Sequence, residues 1–89
     1  MERRQVYYSG RVQGVGFRYT TREIAVRFAV TGYVQNLGDG RVELVVEGDT
    51  DEIDRFLAEI RRSMNRYIDG QQPQTYSATG EFAGFSIRR

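Results

Sequence analysis

The stretch Leu37-Gly38-Asp39-Gly40 carries the signature of a tight hairpin turn, and it sits between two strand-like runs. Asp-Gly and Gly positions suit the backbone angles such a turn needs. Tyr33 to Asn36 reads as the incoming strand. Arg41 to Glu47 reads as the outgoing one, with Val42, Leu44 and Val46 on one face and Arg41, Glu43, Val45 and Glu47 on the other. A helical pattern flanks the hairpin on each side. Upstream, Thr20-Thr21-Arg22-Glu23 offers a Thr-x-x-Glu capping box, and Ile24, Ala25, Phe28 and Ala29 share a face. This helix starts at Thr20 or one turn earlier, at Phe17 or Arg18, and is expected to end at Thr31-Gly32. Downstream, Asp49 or Thr50 caps a second helix whose stripe is Ile53, Phe56, Leu57, Ile60 and Met64. Acidic residues crowd its first turn and Arg61 and Arg62 its last, as the helix dipole favours.

The outer segments complete the order. Gln5 to Val12 is rich in Val and Tyr and reads as a strand interrupted at Gly10. Arg66 to Gln72 reads as a poor strand centred on Ile68, and Pro73 to Gly80 as a loop. Phe82, Phe85 and Ile87 suggest a short last strand, kinked at Gly84. The chain's 89 residues allow one domain, spanning 1–89. Strand, helix, strand, strand, helix, strand predicts an α+β, ferredoxin-like βαββαβ sandwich: an antiparallel sheet, two helices on one face, and a short extra C-terminal strand. That arrangement hosts many unrelated functions, so the chemistry must come from particular residues.

What is missing narrows that chemistry. The chain has no Cys and no His, so a Cys nucleophile, a phospho-His intermediate and a Ser-His-Asp triad cannot be built within it. Zinc held by imidazole or thiolate is excluded on the same ground. What remains is positioning and electrostatics, supplied by Arg, Asn, carboxylates and backbone amides. Net charge is +1, too balanced to imply nucleic-acid or membrane binding. Every basic residue is Arg, a planar fork able to hold an oxyanion bidentately. No apolar run approaches a membrane span and the N-terminus has no signal-peptide segment, so the expected location is cytoplasmic.

The most informative stretch is Gly10-Arg11-Val12-Gln13-Gly14-Val15-Gly16-Phe17-Arg18. A strand runs into a glycine turn, and the turn into a helix N-terminus. That geometry leaves several N–H groups without partners, which together with the helix dipole make an anion cradle. Arg18, in the first helical turn, can add its fork to the same oxyanion. The stretch is not a Walker A loop, because the Gly-Lys-Ser/Thr ending is absent, and it lacks the third glycine of a dinucleotide fingerprint.

Residues 10–18 resemble the first signature of the acylphosphatase family nearly residue for residue. Gly32-Tyr33-Val34-Gln35-Asn36-Leu37-Gly38-Asp39-Gly40-Arg41-Val42-Glu43, continuing to Gly48, resembles the second. Gly84-Phe85-Ser86-Ile87-Arg88 is similar to the family's ending, so the likeness covers almost the whole chain. It departs between Ser63 and Tyr76, which lacks the Gly-Pro start and regular aliphatic positions of relatives, and at Leu37, where relatives also carry a small hydroxyl residue.

The resemblance implies a hydrolase of acyl phosphates. By that resemblance the amides of Gln13, Gly14, Val15, Gly16, Phe17 and Arg18 surround the phosphoryl group, the Arg18 side chain binds its oxygens, and Asn36 holds the attacking water. The chemistry suits the residues available. The leaving group is a carboxylate, already stable as an anion, so a general acid is dispensable. Phosphoryl transfer mostly demands positioning and charge neutralisation. The scheme needs no metal and no cofactor. It implies a small-molecule acyl phosphate substrate, inorganic phosphate as product and competitive inhibitor, and a monomer without nucleic-acid or membrane partners. The alternative is a non-catalytic phosphate- or nucleic-acid-binding module of the same topology. Against it, an RNA-recognition aromatic motif belongs on the third strand, and Val42 to Glu47 offers acidic and aliphatic residues there.

Overall fold

The computed structural model describes residues 1–89. Its elements are β1 (Glu2–Gly10), α1 (Phe17–Ala25), β2 (Val30–Asn36), β3 (Val42–Gly48), α2 (Thr50–Met64), β4 (Ile68–Ser77) and β5 (Phe85–Arg88), with a 3-10 turn at Asn65–Tyr67 leading into β4. The strands form one sheet in the order β4-β1-β3-β2-β5. β1 pairs antiparallel with β3 and β4, and β2 antiparallel with β3. β5 joins the edge parallel to β2. The α+β, ferredoxin-like arrangement is thus present, with a mixed rather than wholly antiparallel sheet.

Alternation along the strands sets the core. Val6 and Tyr8 of β1, Val34 of β2, and Val42, Leu44 and Val46 of β3 are fully buried. They meet Phe17, Ile24 and Ala25 of α1 and Ile53, Phe56, Ile60 and Met64 of α2 in one cluster, so both helices cover the same face of the sheet. Leu57, on the expected stripe, is half-buried at its margin.

Several local readings change. The helix α1 does not use the Thr20–Glu23 capping box. It begins at Phe17, the earliest of the expected starts, with Gly16 as its N-terminal cap in a left-handed conformation, and the Thr20 amide closes the first turn onto the Gly16 carbonyl at 2.9 Å. It stops at Ala25, and Thr31-Gly32, expected to end it, lies inside β2. β4 is far longer than its composition suggested. It takes in Pro73 to Ser77, expected as loop, and runs beside the whole of β1 with Pro73 opposite Val6. An edge strand has one unpaired side, which is where a residue without an N–H can be placed without losing a ladder bond. Phe82 is not part of β5; its ring meets that of Tyr33 edge-on at 5.8 Å.

The sheet face away from the helices carries two buried carboxylates on either side of Val45. Glu43, 8% exposed, accepts from Gln5 Nε2 and Gln35 Nε2, each at 2.7 Å, and from the Tyr33 hydroxyl at 3.3 Å. Glu47, 3% exposed, accepts from Arg3 Nε at 2.7 Å and from the amides of Thr79 and Gly80, each at 3.0 Å. Burial alone raises the Glu47 pKa. The two amides, Arg3 and the Thr79 hydroxyl outweigh that and bring it down to about 2. Because the folded value lies below the usual value of 4.5, this stabilisation is complete above pH 4.5 and is lost as pH falls towards 2. Glu47→Gln is therefore expected to cost roughly 2–3 kcal/mol at neutral pH. The gap to wild type should close on acidification through that window, which urea unfolding at a series of pH values measures.

Candidate active site

The chain leaves β1 at Gly10 and loops back to α1 through residues 11–16. Gly14 and Gly16 have φ of 78° and 80°, and no residue type other than glycine has a positive φ in the chain. The loop thus alternates between left-handed glycines and ordinary residues, the backbone pattern that turns successive N–H groups to one side. None of the amides of residues 13–18 donates to another group of the protein. At a surface this leaves a row of free donors at a helix N-terminus, a site suited to an anion.

Beside the loop lies a cavity of about 280 Å³, lined by Val12, Gly14, Gly16, Phe17, Arg18, Tyr19, Asn36, Ile87 and Arg89. No carboxylate side chain lines it, whereas two guanidiniums, those of Arg18 and Arg89, do. Phe17 anchors the loop from below: it is 2% exposed, and its ring packs obliquely on Tyr8 at 5.0 Å. Arg18 is half-buried and has no carboxylate partner; its one side-chain hydrogen bond is long, 3.4 Å, from Nη1 to the Arg88 carbonyl. Asn36 is the last residue of β2, opposite Val42 in the register, and its carboxamide makes no hydrogen bond within the protein.

The loop and the Asn36 strand end are tied together. Gln13 Nε2 donates to the Leu37 carbonyl at 2.8 Å and to the Arg41 carbonyl at 2.9 Å. The Leu37 amide itself bonds the Arg41 carbonyl at 2.8 Å, which closes the turn. Gln13 thus fixes the distance between the free amides and the carboxamide.

Of the residues singled out in the sequence, Gly14, Gly16, Phe17, Arg18 and Asn36 share the cavity wall. The Gln13 side chain turns to the β2–β3 turn instead, and Val15 packs against the core; these two can offer only their amides. Tyr19, Ile87 and Arg89 line the cavity as well. The last two were not legible beforehand, because β5 brings them there by a parallel pairing far apart in sequence.

The sequence profile of the acylphosphatase family matches residues 4–87. An acylphosphatase of Methylococcus capsulatus is 42% identical over 90 aligned residues, covering 100% of this chain and 98% of the relative. One from Rubrobacter xylanophilus is 42% identical over 88 residues, covering 98% and 80%. The crystal structure of acylphosphatase from Bacillus subtilis superposes with a TM-score of 0.89 at 28% identity, each chain covered in full. The fold is also similar to a part, 12%, of the HypF chain of T. kodakarensis, with a TM-score of 0.85 at 31% identity. This chain belongs to the acylphosphatase family, enzymes that hydrolyse acyl phosphates.

Proposed function

We propose that the free amides of Gln13, Gly14, Val15, Gly16, Phe17 and Arg18, together with the Arg18 guanidinium, bind the phosphoryl group of an acyl phosphate, and that Asn36 holds the water that attacks it. The observation that carries this reading is the run of unpaired donors from Gln13 to Arg18, with a guanidinium and a carboxamide on the wall of one cavity that no carboxylate side chain lines.

The water oxygen attacks phosphorus in line with the carboxyl–phosphate bond. That bond breaks with its electron pair going to the acyl oxygen, which leaves as carboxylate. Asn36 accepts a hydrogen bond from the water through its carbonyl and aims a lone pair at phosphorus. A carboxamide is too weak a base to take the proton, which passes to a phosphoryl oxygen of the substrate. The amides and Arg18 neutralise charge on the equatorial oxygens as the bond loosens. Inorganic phosphate presents the same oxygens and so binds the same donors as product and competitive inhibitor. Every role in this scheme falls to a group within residues 4–87, the span the family matches, which supports residues 1–89 acting as one domain; the proposed state is a monomer. The proposed location is the cytoplasm; no helix is long and apolar enough to cross a membrane.

Asn36→Ala separates binding from chemistry. Turnover of acetyl phosphate or benzoyl phosphate, measured as phosphate release with a chelator present, should fall about 100- to 1,000-fold. Inhibition by phosphate should stay within about threefold of wild type, since the donors that hold it are untouched. An Asn36→Ala variant with full turnover removes the water-holding role.

A further inference from the structure

We infer that Arg11 and Arg66 form a second anion subsite beside the phosphoryl loop, so that this enzyme prefers acyl phosphates whose acyl part carries its own negative charge. The inference rests on the assignment of the phosphoryl group to the 13–18 loop.

Arg11, Arg66 and Tyr67 line a separate cavity of about 270 Å³. It opens at the same end of the sheet as the first. Arg11 follows the last residue of β1, Tyr67 precedes the first residue of β4, and those two strand ends, Gly10 and Ile68, are paired. Val12, the residue after Arg11, already lines the first cavity. The Cα atoms of Arg11 and Gly14 are three peptide units apart, hence no more than about 11 Å. A short acyl chain and an arginine side chain reach across that distance.

The backbone holds the two arginines in place. A Cβ on Gly10 would lie 2.5 Å from the Tyr67 carbonyl oxygen and 2.7 Å from the Asp69 amide nitrogen. The end of β1 and the start of β4 are therefore in direct contact, which keeps Arg11 beside Arg66 and Tyr67.

Charge completes the argument. Six of the chain's 13 arginines pair with carboxylates: Arg3, Arg4, Arg27, Arg41, Arg55 and Arg62. Arg11 and Arg66 are among the seven that do not, and of those they are the two that line this cavity. Arg11 makes no hydrogen bond in the protein, and the only partner of Arg66 is the Tyr67 ring, 5.9 Å away. Asp69 borders the same strand end, its carboxyl carbon 3.1 Å from where a Cβ on Gly10 would lie, yet it pairs with neither arginine and leaves both guanidiniums free. Two like charges bordering one space repel each other, and an anion between them relieves that repulsion. Each guanidinium can take a carboxylate or phosphate group bidentately.

The test compares succinyl phosphate, whose acyl part ends in a carboxylate, with acetyl phosphate, whose acyl part is neutral. Wild type should favour succinyl phosphate in kcat/KM. Arg11→Gln and Arg66→Gln should each narrow that preference, and the double variant should reduce it about tenfold. The change should lie in KM, with kcat/KM on acetyl phosphate staying within about twofold. An equal loss on both substrates would assign the arginines to structure or to general attraction, and a wild type without the preference would overturn the subsite directly. Calorimetric binding of 4-phosphonobutyrate against butylphosphonate needs no turnover. If the carboxylate strengthens binding through Arg11 and Arg66 while acetyl phosphate is not hydrolysed, the catalytic reading fails and the subsite stands. If hydrolysis proceeds and the carboxylate adds nothing, the subsite fails alone.

Discussion

Arg18→Ala is expected to lower kcat/KM on acetyl phosphate by at least about 1,000-fold, and to abolish inhibition by phosphate at the same time. The two losses should go together because, in the proposed scheme, the guanidinium contacts the same oxygens in substrate, transition state and product. This is the opposite of the result expected for Asn36→Ala, where inhibition should survive the loss of turnover. The comparison is clean because Arg18 contributes little to the fold. Its single side-chain hydrogen bond is the long one to the Arg88 carbonyl at 3.4 Å, and it has no carboxylate partner. Thermal unfolding of the variant should therefore match wild type within a few degrees. Arg18→Lys keeps the charge and loses the planar fork, so it should recover part of the phosphate binding and little of the rate. Phosphate release and phosphate inhibition, measured side by side on the three proteins, read all of this. An Arg18→Ala enzyme that keeps either property near the wild-type value places the oxyanion elsewhere.

Gly32→Ala is expected to be the most damaging small substitution for stability. Gly32 lies in β2 with φ of 143°, where side chains are strained. A Cβ there would stand 1.9 Å from the Val45 carbonyl oxygen and 2.9 Å from its carbon. Both are backbone atoms of β3, so no side-chain rotation can relieve the overlap. β2 and β3 must separate, and with them the Gly32 amide bond to the Gly84 carbonyl, at 2.9 Å, that holds the approach to β5. We expect a loss of about 3 kcal/mol or more, and a drop in Tm of roughly 15 °C or more for a domain of this size. Gly38→Ala is the matched control. A Cβ at Gly38 meets nothing within 4 Å, and the change should stay near about 0.5 kcal/mol. Circular dichroism melts of the two variants decide the point; a Gly32→Ala Tm within a few degrees of wild type means that the strands can part at little cost.

Much of the molecule was legible from the residues alone, for a local reason. The period of two in Val42, Leu44 and Val46 and the helical stripe of Ile53, Phe56, Ile60 and Met64 record which face of each element is buried. Asp39 and Gly40 mark the turn between β2 and β3. The glycine pattern of residues 10–18 announced a loop of free amides opening a helix, and its spacing to Asn36 carried the family likeness. Such features depend on neighbours a few positions apart, so they can be read directly along the chain.

Long-range pairing decided the rest. The composition of Pro73 to Ser77 argues for loop, yet β1 lies alongside and pairs with β4 from Glu2 to Gly10, and the outer edge accommodates Pro73. Propensity describes what a segment prefers when nothing lies beside it, and here the neighbouring strand outweighs it. The helix α1 begins after Gly16 rather than at the Thr20 capping box because the left-handed glycine already closes the first turn.

Three features of the site also needed the third dimension. The parallel pairing of β5 with β2 brings Ile87 and Arg89 to the cavity wall. The Gln13 side chain bridges to the Leu37 and Arg41 carbonyls, which sets the loop against Asn36. The packing of Gly10 on Tyr67 and Asp69 places Arg11 beside Arg66. Each is a contact between segments distant in the chain. Such contacts follow from how the strands are ordered in the sheet, and that order is fixed only when the whole core closes. The residues proposed to bind an oxyanion were therefore written in the sequence, whereas their distances from one another were set by the sheet.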